Sequence, residues 1–409
     1  MTQQAELKRS LTLPLLALYG LGNILGAGIY VLVGKVVAVA GIYAPISFLL
    51  ASLLAGFTAF SYAELSSRYP YSAGESVYLH EAFAVRWLSL GVGLLIILAG
   101  VLSSAAIVQG FVGYFNVFIP MPRTLTIIIV ISLICALAIW GIVESVRAAV
   151  LLTLFEIFGL VLILWSGRLE LVNVPSRLPE FLPQADLLTW YGIFFGGLLA
   201  FYAYIGFEDM VNVAEEVKDP HKTLPIAIII ALFISAILYF LVALVAVSGL
   251  PADQLAQSDA PLAMIYQHYT GEEPWLISAI GVFAVINGAL IQIIMVSRLL
   301  YGLGRRGWLP QYFATINART RTPVLSTVLS ALAVLVLSLS LDIAQLAENT
   351  SFVILLVFVL INAALLNIKR LYPAPVGVMV YPVFIPVAGL LSASAFIILK
   401  LLKPFIGGA

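Results

Sequence analysis

Long apolar runs separated by short polar segments make up most of the chain, and they predict α-helices that cross a membrane. A helix needs about 20 residues to cross the roughly 30 Å of bilayer hydrocarbon. The apolar positions are continuous rather than alternating, which favours helices over the strands of a barrel. Eleven runs reach this length. They cover residues 12–38, 44–66, 86–115, 124–142, 148–167, 188–212, 223–249, 275–302, 323–341, 345–367 and 380–402.

The composition leads to the same interpretation. Of the 409 residues, 62% are hydrophobic and 10% are charged, whereas soluble domains usually carry about 25% charged residues. We therefore predict an all-α polytopic protein whose main solvent is the lipid bilayer. The net charge is zero and no basic block is present, so we expect no nucleic-acid partner. No cleavable signal peptide is evident, and the loops are too short to fold alone.

Lysine and arginine are unevenly distributed between the predicted loops. With a cytoplasmic N-terminus, 14 of them fall on the inner side and 6 on the outer side, which is the bias that multi-pass proteins show. We therefore predict a multi-pass protein of the cell (inner) membrane with residues 1–11 in the cytoplasm. Lys35, near the outer end of the first run, is expected to extend its ammonium group to the membrane surface.

Several classes of chemistry are disfavoured by the residues themselves. Cys135 is the single cysteine, so neither a disulfide framework nor a thiolate metal site is possible. The histidines lie in polar segments between runs, and no zinc motif or membrane-depth nucleophile with a base is present, which argues against an intramembrane enzyme. No G-x-x-x-x-G-K-[ST] loop is present to drive a pump. We expect no enzyme activity, no cofactor and no metal.

Two of the runs are interrupted by glycine and polar residues. The first reads Gly20-Leu-Gly-Asn-Ile-Leu-Gly-Ala-Gly-Ile-Tyr30, and the sixth contains Phe201-Tyr-Ala-Tyr-Ile-Gly-Phe-Glu-Asp209. Close helix packing through small residues is one interpretation of the first segment. The match between runs one and six, which are equivalent members of two five-helix halves, favours unwound turns at a transporter's midplane site. Free N–H groups would bind a carboxylate and exposed carbonyls an ammonium, which suits a zwitterion.

Glu156 stands about eight residues into the fifth run, or roughly 12 Å along the helix. A carboxylate at that depth is costly and usually marks function. Two interpretations stay open. The residue is either a protonated or hydrogen-bonded glutamate that locks two helices together, or a titrating site for proton coupling. Asn287 on the eighth run is the expected partner across the gap.

Four motifs, in the same order along residues 10–370, resemble those of the amino acid–polyamine–organocation transporters. They resemble the family's first helix, its first cytoplasmic loop, its sixth helix with the following loop, and the end of its eighth helix. The residues are Gly22-Asn-Ile-Leu-Gly-Ala-Gly-Ile-Tyr30, Ala63-Glu-Leu-Ser-Ser-Arg-Tyr-Pro70 with Ser72-Ala-Gly-Glu75, Phe201 to Glu208 with Glu215-Glu-Val-Lys-Asp-Pro220 and Leu224-Pro-Ile226, and Ser297-Arg-Leu-Leu-Tyr301 with Gly307-Trp-Leu-Pro310.

The resemblance implies a five-plus-five inverted repeat of the leucine-transporter kind. Residues 12–167 would form the first repeat, residues 188–368 the second, and residues 380–402 one additional helix, where the family often has two. It also implies secondary active transport of amino acids by alternating access, with proton symport. An exchanger and an amine or polyamine carrier are the alternatives. A neutral substrate is favoured because runs three, eight and ten carry no acid except Glu348, near an end.

The resemblance also implies a set of site residues. The first-helix turn that contains Gly26 would bind the substrate, and its amides at Ala27 and Gly28 would hold the carboxylate. Other residues would supply carbonyls for the ammonium or would line the side-chain pocket. The carbonyl residues are Ile24, Tyr202 and Ile205, with Tyr202 also a gate, and the pocket residues are Ser104, Ile107 and Gln292.

For coupling, some relatives use a lysine on the fifth helix, and Glu156 falls at that position with the opposite sign of charge. The resemblance therefore leaves open whether Glu156 carries a proton or coordinates a cation. Glu208 and Asp209, toward the inner end of the sixth run, are expected to anchor that helix or the inner gate rather than contact substrate. The expected partners are an amino acid, a proton or another cation, and the lipid bilayer.

Overall fold

A computed structural model describes residues 9, 11–71, 74–140, 146–317, 320 and 322–406, and within these ranges the chain is helical without a strand. Residues 1–8 and 10 of the predicted cytoplasmic N-terminus, and residues 141–142 of the fourth run, lie outside the described residues. The α-helices are α1 (Leu13–Ala40), α2 (Ala44–Arg68), α3 (Gly74–Phe83), α4 (Arg86–Asn116), α5 (Arg123–Trp140), α6 (Val146–Ser166), α7 (Arg168–Phe181), α8 (Leu187–Tyr202), α9 (Pro220–Gly249), α10 (Ala252–Gln257), α11 (Pro261–Thr270), α12 (Trp275–Arg305), α13 (Val324–Ser340), α14 (Ile343–Leu371) and α15 (Phe384–Ile406). Three 3₁₀ helices cover Gly41–Tyr43, Glu208–Glu216 and Gln311–Ala314.

The prediction of an all-α polytopic membrane protein is confirmed, and each predicted run overlaps a helix. Among the described residues, six helical segments are long and apolar enough to cross a membrane alone. A seventh is added if α6 and α7, bent by 61°, form one span. In this count of six, α1 and α2 form one continuous segment. Helices α5, α8 and α13 are apolar but shorter, and they are not among the six. Helix length therefore does not establish eleven crossings, and that number stays a prediction.

The predicted loops contain further helices. Helix α3 lies between α2 and α4, α7 follows α6, and α10 and α11 lie between α9 and α12. Helix α7 contains Pro175 and Pro179 and exposes Leu169 and Val172. Apolar groups on a helix that turns away from its span are typical of a segment lying at a membrane surface.

Helix α1 lies at the centre of the bundle, where it packs against α6, α8, α9 and α12. Helix α2 packs against α8, α9, α14 and α15, and α4 packs against α12, α13 and α14. Polar side chains join some of these helices, because Asn362 of α14 accepts from the Ser61 hydroxyl at 2.7 Å and donates to Thr58 at 2.9 Å. Large apolar side chains such as Leu53 and Phe233 face outward, as a bilayer solvent requires.

The two ends of α1 are fixed by different loops. Leu11 forms a parallel bridge with Val217, in which the Leu11 N–H donates to the Glu216 carbonyl at 3.0 Å. Near the other end of α1, the Lys35 ammonium donates to the Ala256 carbonyl at 2.6 Å. Helix α10 therefore supplies an acceptor for Lys35 at this end of α1, and the expectation that the ammonium extends to the membrane surface stays a prediction.

Candidate functional site between two helix breaks

The break in α1 falls at Gly26, whose backbone angles of φ −27° and ψ −106° are not helical. Helix α8 ends at Tyr202, and the chain then turns before the 3₁₀ helix Glu208–Glu216. Gly206, within this turn, has φ +128°, a conformation that side-chain-bearing residues rarely adopt. Both segments that the sequence predicted to be irregular are therefore irregular in the structure.

The broken segments of α1 and α8 pack so closely that their backbones are in contact. A Cβ atom on Gly28 would stand 2.5 Å from the Ala203 Cα, and one on Gly206 would stand 2.7 Å from the Asn23 carbonyl oxygen. Any side chain at either glycine would push the two segments apart. The glycines are needed for this approach, which brings the two unwound segments together in the centre of the bundle.

One hydroxyl from α9 bridges the two breaks. The Tyr239 oxygen lies 2.6 Å from the Ile24 carbonyl and 3.0 Å from the Ala203 carbonyl, so its single proton is available to either one. These carbonyls would otherwise lack the helical partners that a regular helix supplies. Tyr239 therefore satisfies groups that the breaks expose, including the Ile24 carbonyl that was predicted to meet the substrate's ammonium.

The predicted site residues fall into two groups. Ile24, Gly26, Ala27, Gly28, Tyr202 and Ile205 lie in or directly beside the breaks. Ser104, Ile107 and Gln292 are buried on α4 and α12. The Ser104 hydroxyl has no hydrogen-bond partner, and Ile107 lies 3.4 Å from where a Cβ on Gly288 would stand. The Tyr202 hydroxyl donates to the Ser103 carbonyl at 3.1 Å.

A small cavity lies beside the break in α8. The space that the centre of a water molecule can occupy there is about 10 Å³, which is close to the room needed for one water. The predicted residues Ile205 and Gln292 line it, and the other predicted substrate residues do not. The remaining lining residues are Tyr62, Glu75, Ile96, Ala99, Gly100, Ser103, Glu208, Asp209, Met295, Ile354 and Val357.

Several functional candidates were missed from the sequence. Tyr239 is one of many tyrosines in apolar runs, and Ser103 differs from the predicted Ser104 by one residue, or about 100° around the helix. Glu75 was assigned to a cytoplasmic loop, yet α3 places it in the wall of the cavity. Glu208 and Asp209 were expected to anchor their helix, and both line the same cavity.

Burial controls the protonation of Glu75, which lies outside the predicted spans. Removal from water, with a smaller contribution from the nearby Asp209 carboxylate, raises the pKa of Glu75 to about 8. The Glu75 backbone and the Tyr62 hydroxyl form hydrogen bonds with the carboxyl group, which oppose the rise in pKa. Burial therefore shifts this carboxyl group toward its neutral form, and a cation bound beside it would favour the charged form.

Glu156 lies on α6, which packs against both α1 and α12. Its side chain is 1% exposed, and among the residues that the structure describes no donor forms a hydrogen bond with either carboxyl oxygen. The Asn287 side chain lies close to the Glu156 carboxyl, and its role as the partner of Glu156 stays a prediction. The Tyr30 hydroxyl of α1 donates to the backbone carbonyl of Glu156 at 2.7 Å. Glu156 is therefore joined to α1 through its backbone, while its carboxyl is left without a counterion.

Comparison with known proteins places the chain among transporters. A family model described as amino acid permease matches residues 11–406. A branched-chain amino acid permease of Bacillus subtilis (strain 168) is 28% identical, with 90% of this chain and 83% of that protein covered. A methylthioribose transporter of the same organism is 28% identical, with 96% of this chain and 88% of that protein covered.

Plant proteins are also similar. A mitochondrial cationic amino acid transporter 3 of Arabidopsis thaliana is 29% identical over 90% of this chain. The chain spans 63% of the length of that plant protein. The names of these relatives cover cationic amino acids, branched-chain amino acids and a sugar thioether, so similarity alone does not define a single substrate.

Proposed function

The chain belongs to the amino acid permease family, and on that premise we propose that it is a secondary active transporter of amino acids that works by alternating access. The observation that carries the proposal is the contact of two helix breaks, in which Gly28 meets Ala203 and Tyr239 bridges the carbonyls of both segments. Paired breaks at a bundle's centre expose the amides and carbonyls that bind a zwitterion.

The substrate carboxylate is proposed to bind the amides at Ala27 and Gly28, within the turn that Gly26 opens. Its ammonium is proposed to approach the carbonyls of Ile24, Tyr202 and Ile205, with Tyr202 as the gate. The Ile24 carbonyl already accepts from Tyr239, and its second lone pair would accept from the ammonium. Ser104, Ile107 and Gln292 are proposed to line the path of the side chain.

Reciprocal packing supports two inverted repeats, residues 12–167 and 188–368, followed by the additional helix 380–402. In the two repeats α1 corresponds to α8, α2 to α9, α4 to α12 and α5 to α13. Helix α1 packs against α9, and the corresponding pair α8 and α2 is also in contact. Likewise α4 packs against α13, and the corresponding pair α12 and α5 is in contact. Exchanged pairs of this kind are expected when a two-fold axis relates two halves. The charge bias of the loops supports a cell membrane location with a cytoplasmic N-terminus.

Proton coupling is proposed to use Glu156, with Asn287 as its neighbour. A carboxyl at membrane depth without a counterion supports uptake and release of a proton, because the charged form is costly there. The alternative is a protonated or hydrogen-bonded glutamate that only locks two helices, and the lack of hydrogen bonds at its carboxyl oxygens among the described residues favours proton coupling over the hydrogen-bonded form.

The prediction of a neutral substrate depended on the absence of acids from runs three, eight and ten. The cavity is lined by Glu75 of α3 and by Glu208 and Asp209 after α8. These three acids lie outside runs three, eight and ten. The choice between neutral and cationic amino acids therefore depends on this cavity.

The proposal is tested by uptake of a radiolabelled amino-acid panel into liposomes containing the purified protein. We expect at least one amino acid to enter empty liposomes faster than it enters protein-free liposomes. Uptake only into liposomes preloaded with amino acid would identify an exchanger. If no amino acid moves under either condition, the proposed function is wrong.

A further inference from the structure

Three carboxyl groups meet in the cavity beside the α8 break. Glu75, Glu208 and Asp209 are 3%, 5% and 7% exposed, and all of them line it. They come from two separate elements, α3 and the 3₁₀ helix Glu208–Glu216. Three acids in so small a buried space are costly unless each is neutralised by a proton or by a cation.

The donors that these carboxyl groups receive are all neutral. The Tyr62 hydroxyl lies 3.4 Å from Glu75, the Gly206 N–H donates to Glu208 at 2.9 Å, and the Gln292 amide donates to Asp209 at 3.3 Å. No lysine or arginine is present among the described residues that line the cavity. The positive charge that would complete this cluster is therefore not supplied by the cavity's own residues.

A fourth acceptor in the wall independently indicates a missing donor. The Gln292 side-chain oxygen is buried without a hydrogen-bond partner, and the residue is 9% exposed. This oxygen lies 3.2 Å from where a Cβ on Gly100 would stand, so it points to a stretch of wall that glycine leaves bare. Buried polar atoms without partners are uncommon in folded proteins.

The cavity adjoins the segment proposed to bind the substrate backbone. Ile205, one of the proposed carbonyl residues, lines it. Ser103 also lines it and has its hydroxyl 3.1 Å from that of Tyr202. A substrate held at the breaks would therefore lie next to the acidic cavity.

We propose that this cavity is a subsite for a primary ammonium group at the end of the substrate's side chain, so that the preferred substrates are lysine-like diamino acids. This inference rests on the proposed transport of amino acids. An ammonium group carries three donors and no acceptor, which matches a wall of carboxyl and amide oxygens. It is also close to water in size and so fits the space of about 10 Å³, whereas a planar guanidinium needs more room.

The test compares labelled lysine with labelled norleucine, which has the same chain length without the ammonium. Uptake is measured in liposomes with the wild-type protein, Asp209→Asn and Glu75→Gln, and with Glu273→Gln as the matched control at an exposed loop. We expect wild-type protein to prefer lysine over norleucine. Asp209→Asn should lower lysine uptake roughly ten- to hundredfold, the range for a hydrogen bond to a charged group, and Glu75→Gln should lower it by a smaller factor because burial shifts this carboxyl group toward its neutral form. Norleucine uptake should be retained, and the control should match the wild type.

Three results would overturn the subsite. The first is equal uptake of lysine and norleucine by the wild type, and the second is an equal loss of both uptakes in the variants. The third is a norleucine uptake that depends on sodium or potassium and that the variants abolish, because this would indicate that the cavity binds an inorganic cation. If the variants do not fold, the test uses the wild-type protein and compares how strongly lysine and arginine inhibit norleucine uptake. The subsite predicts stronger inhibition by lysine, and equal or weaker inhibition by lysine would contradict it. If norleucine moves without a lysine preference, only the subsite fails. If no amino acid moves, the proposed function fails as well.

Discussion

At the scale of single residues, the proposed proton coupling depends on the Glu156 carboxyl. It is buried, it has no counterion, and its neighbour Asn287 is a neutral amide. A lysine at this position would be neutral when deprotonated, whereas a glutamate is neutral when protonated. Glu156 therefore suits a carrier whose substrate-loaded state changes conformation while the Glu156 carboxyl is protonated and neutral.

Replacing Glu156 with Gln removes the titrating group while keeping its size. A one-unit pH gradient coupled to one proton stores about 1.4 kcal/mol, which allows at most about tenfold accumulation of substrate. We expect the wild-type protein to accumulate substrate when the exterior is acidic, and Glu156→Gln only to equilibrate it. The measurement is uptake into liposomes with and without the gradient, and Glu180→Gln on the exposed α7 is the control. Accumulation by Glu156→Gln equal to that of the wild type would exclude this role.

The sequence predicted residues whose character conflicts with their surroundings, and it missed residues that depend on tertiary contacts. Glu156 and Gly26 are recognisable because a charge and a cluster of glycines are costly in an apolar helix. Tyr239 is an ordinary tyrosine in an apolar run until α9 places it between two breaks. Glu75 and Lys35 lie near span ends, where only the packing of α3 and α10 determines their contacts.

At the scale of elements, the site depends on how closely the broken segments of α1 and α8 approach. The positions at which they meet carry glycine, and adding one carbon at Gly28 would place it 2.5 Å from the Ala203 Cα. The neighbouring atom belongs to the backbone, so no side chain can rotate away to make room. The two breaks would have to separate, which alters the geometry of the amides and carbonyls proposed to bind substrate.

We therefore expect Gly28→Ala to lower the rate of uptake at least about tenfold and to destabilise the fold by about 1–3 kcal/mol, the usual cost of overpacking. Gly91→Ala is the matched control, because a Cβ at Gly91 of α4 would meet no atom within 4 Å. In the control, alanine should be neutral or stabilise the helix by up to about 1 kcal/mol. Initial uptake rates and thermal unfolding midpoints measure both effects. Normal transport by Gly28→Ala would show that the close contact is unnecessary.

The element order was predictable because apolar runs of the required length determine where helices form. Their ends were less predictable. Run 188–212 gives a helix that ends at Tyr202, because the segment after it turns at Gly206 instead of continuing. The helices α7, α10 and α11 form in polar segments whose pattern did not distinguish them from loops.

At the scale of the whole molecule, the central site is closed on the side of α10 and α11. A Cβ on Gly34 of α1 would stand 2.3 Å from the Leu255 carbonyl oxygen, and one on Gly113 of α4 would stand 2.0 Å from that of Asp259. The connection between α9 and α12 therefore packs directly on the two helices that flank the breaks. The cavity has space for about one water, so the proposed alternating access requires it to widen and to open toward each face in turn.

Accessibility of the cavity from the two faces of the membrane tests this account most directly. In a Cys135→Ser background, Ser103→Cys places a single thiol in the cavity wall, and a membrane-impermeant thiol reagent is applied to right-side-out and inside-out vesicles. Alternating access predicts labelling from both faces, with a saturating transported amino acid slowing the reaction in each. Labelling from one face only, or labelling that no transported amino acid affects, would contradict the account.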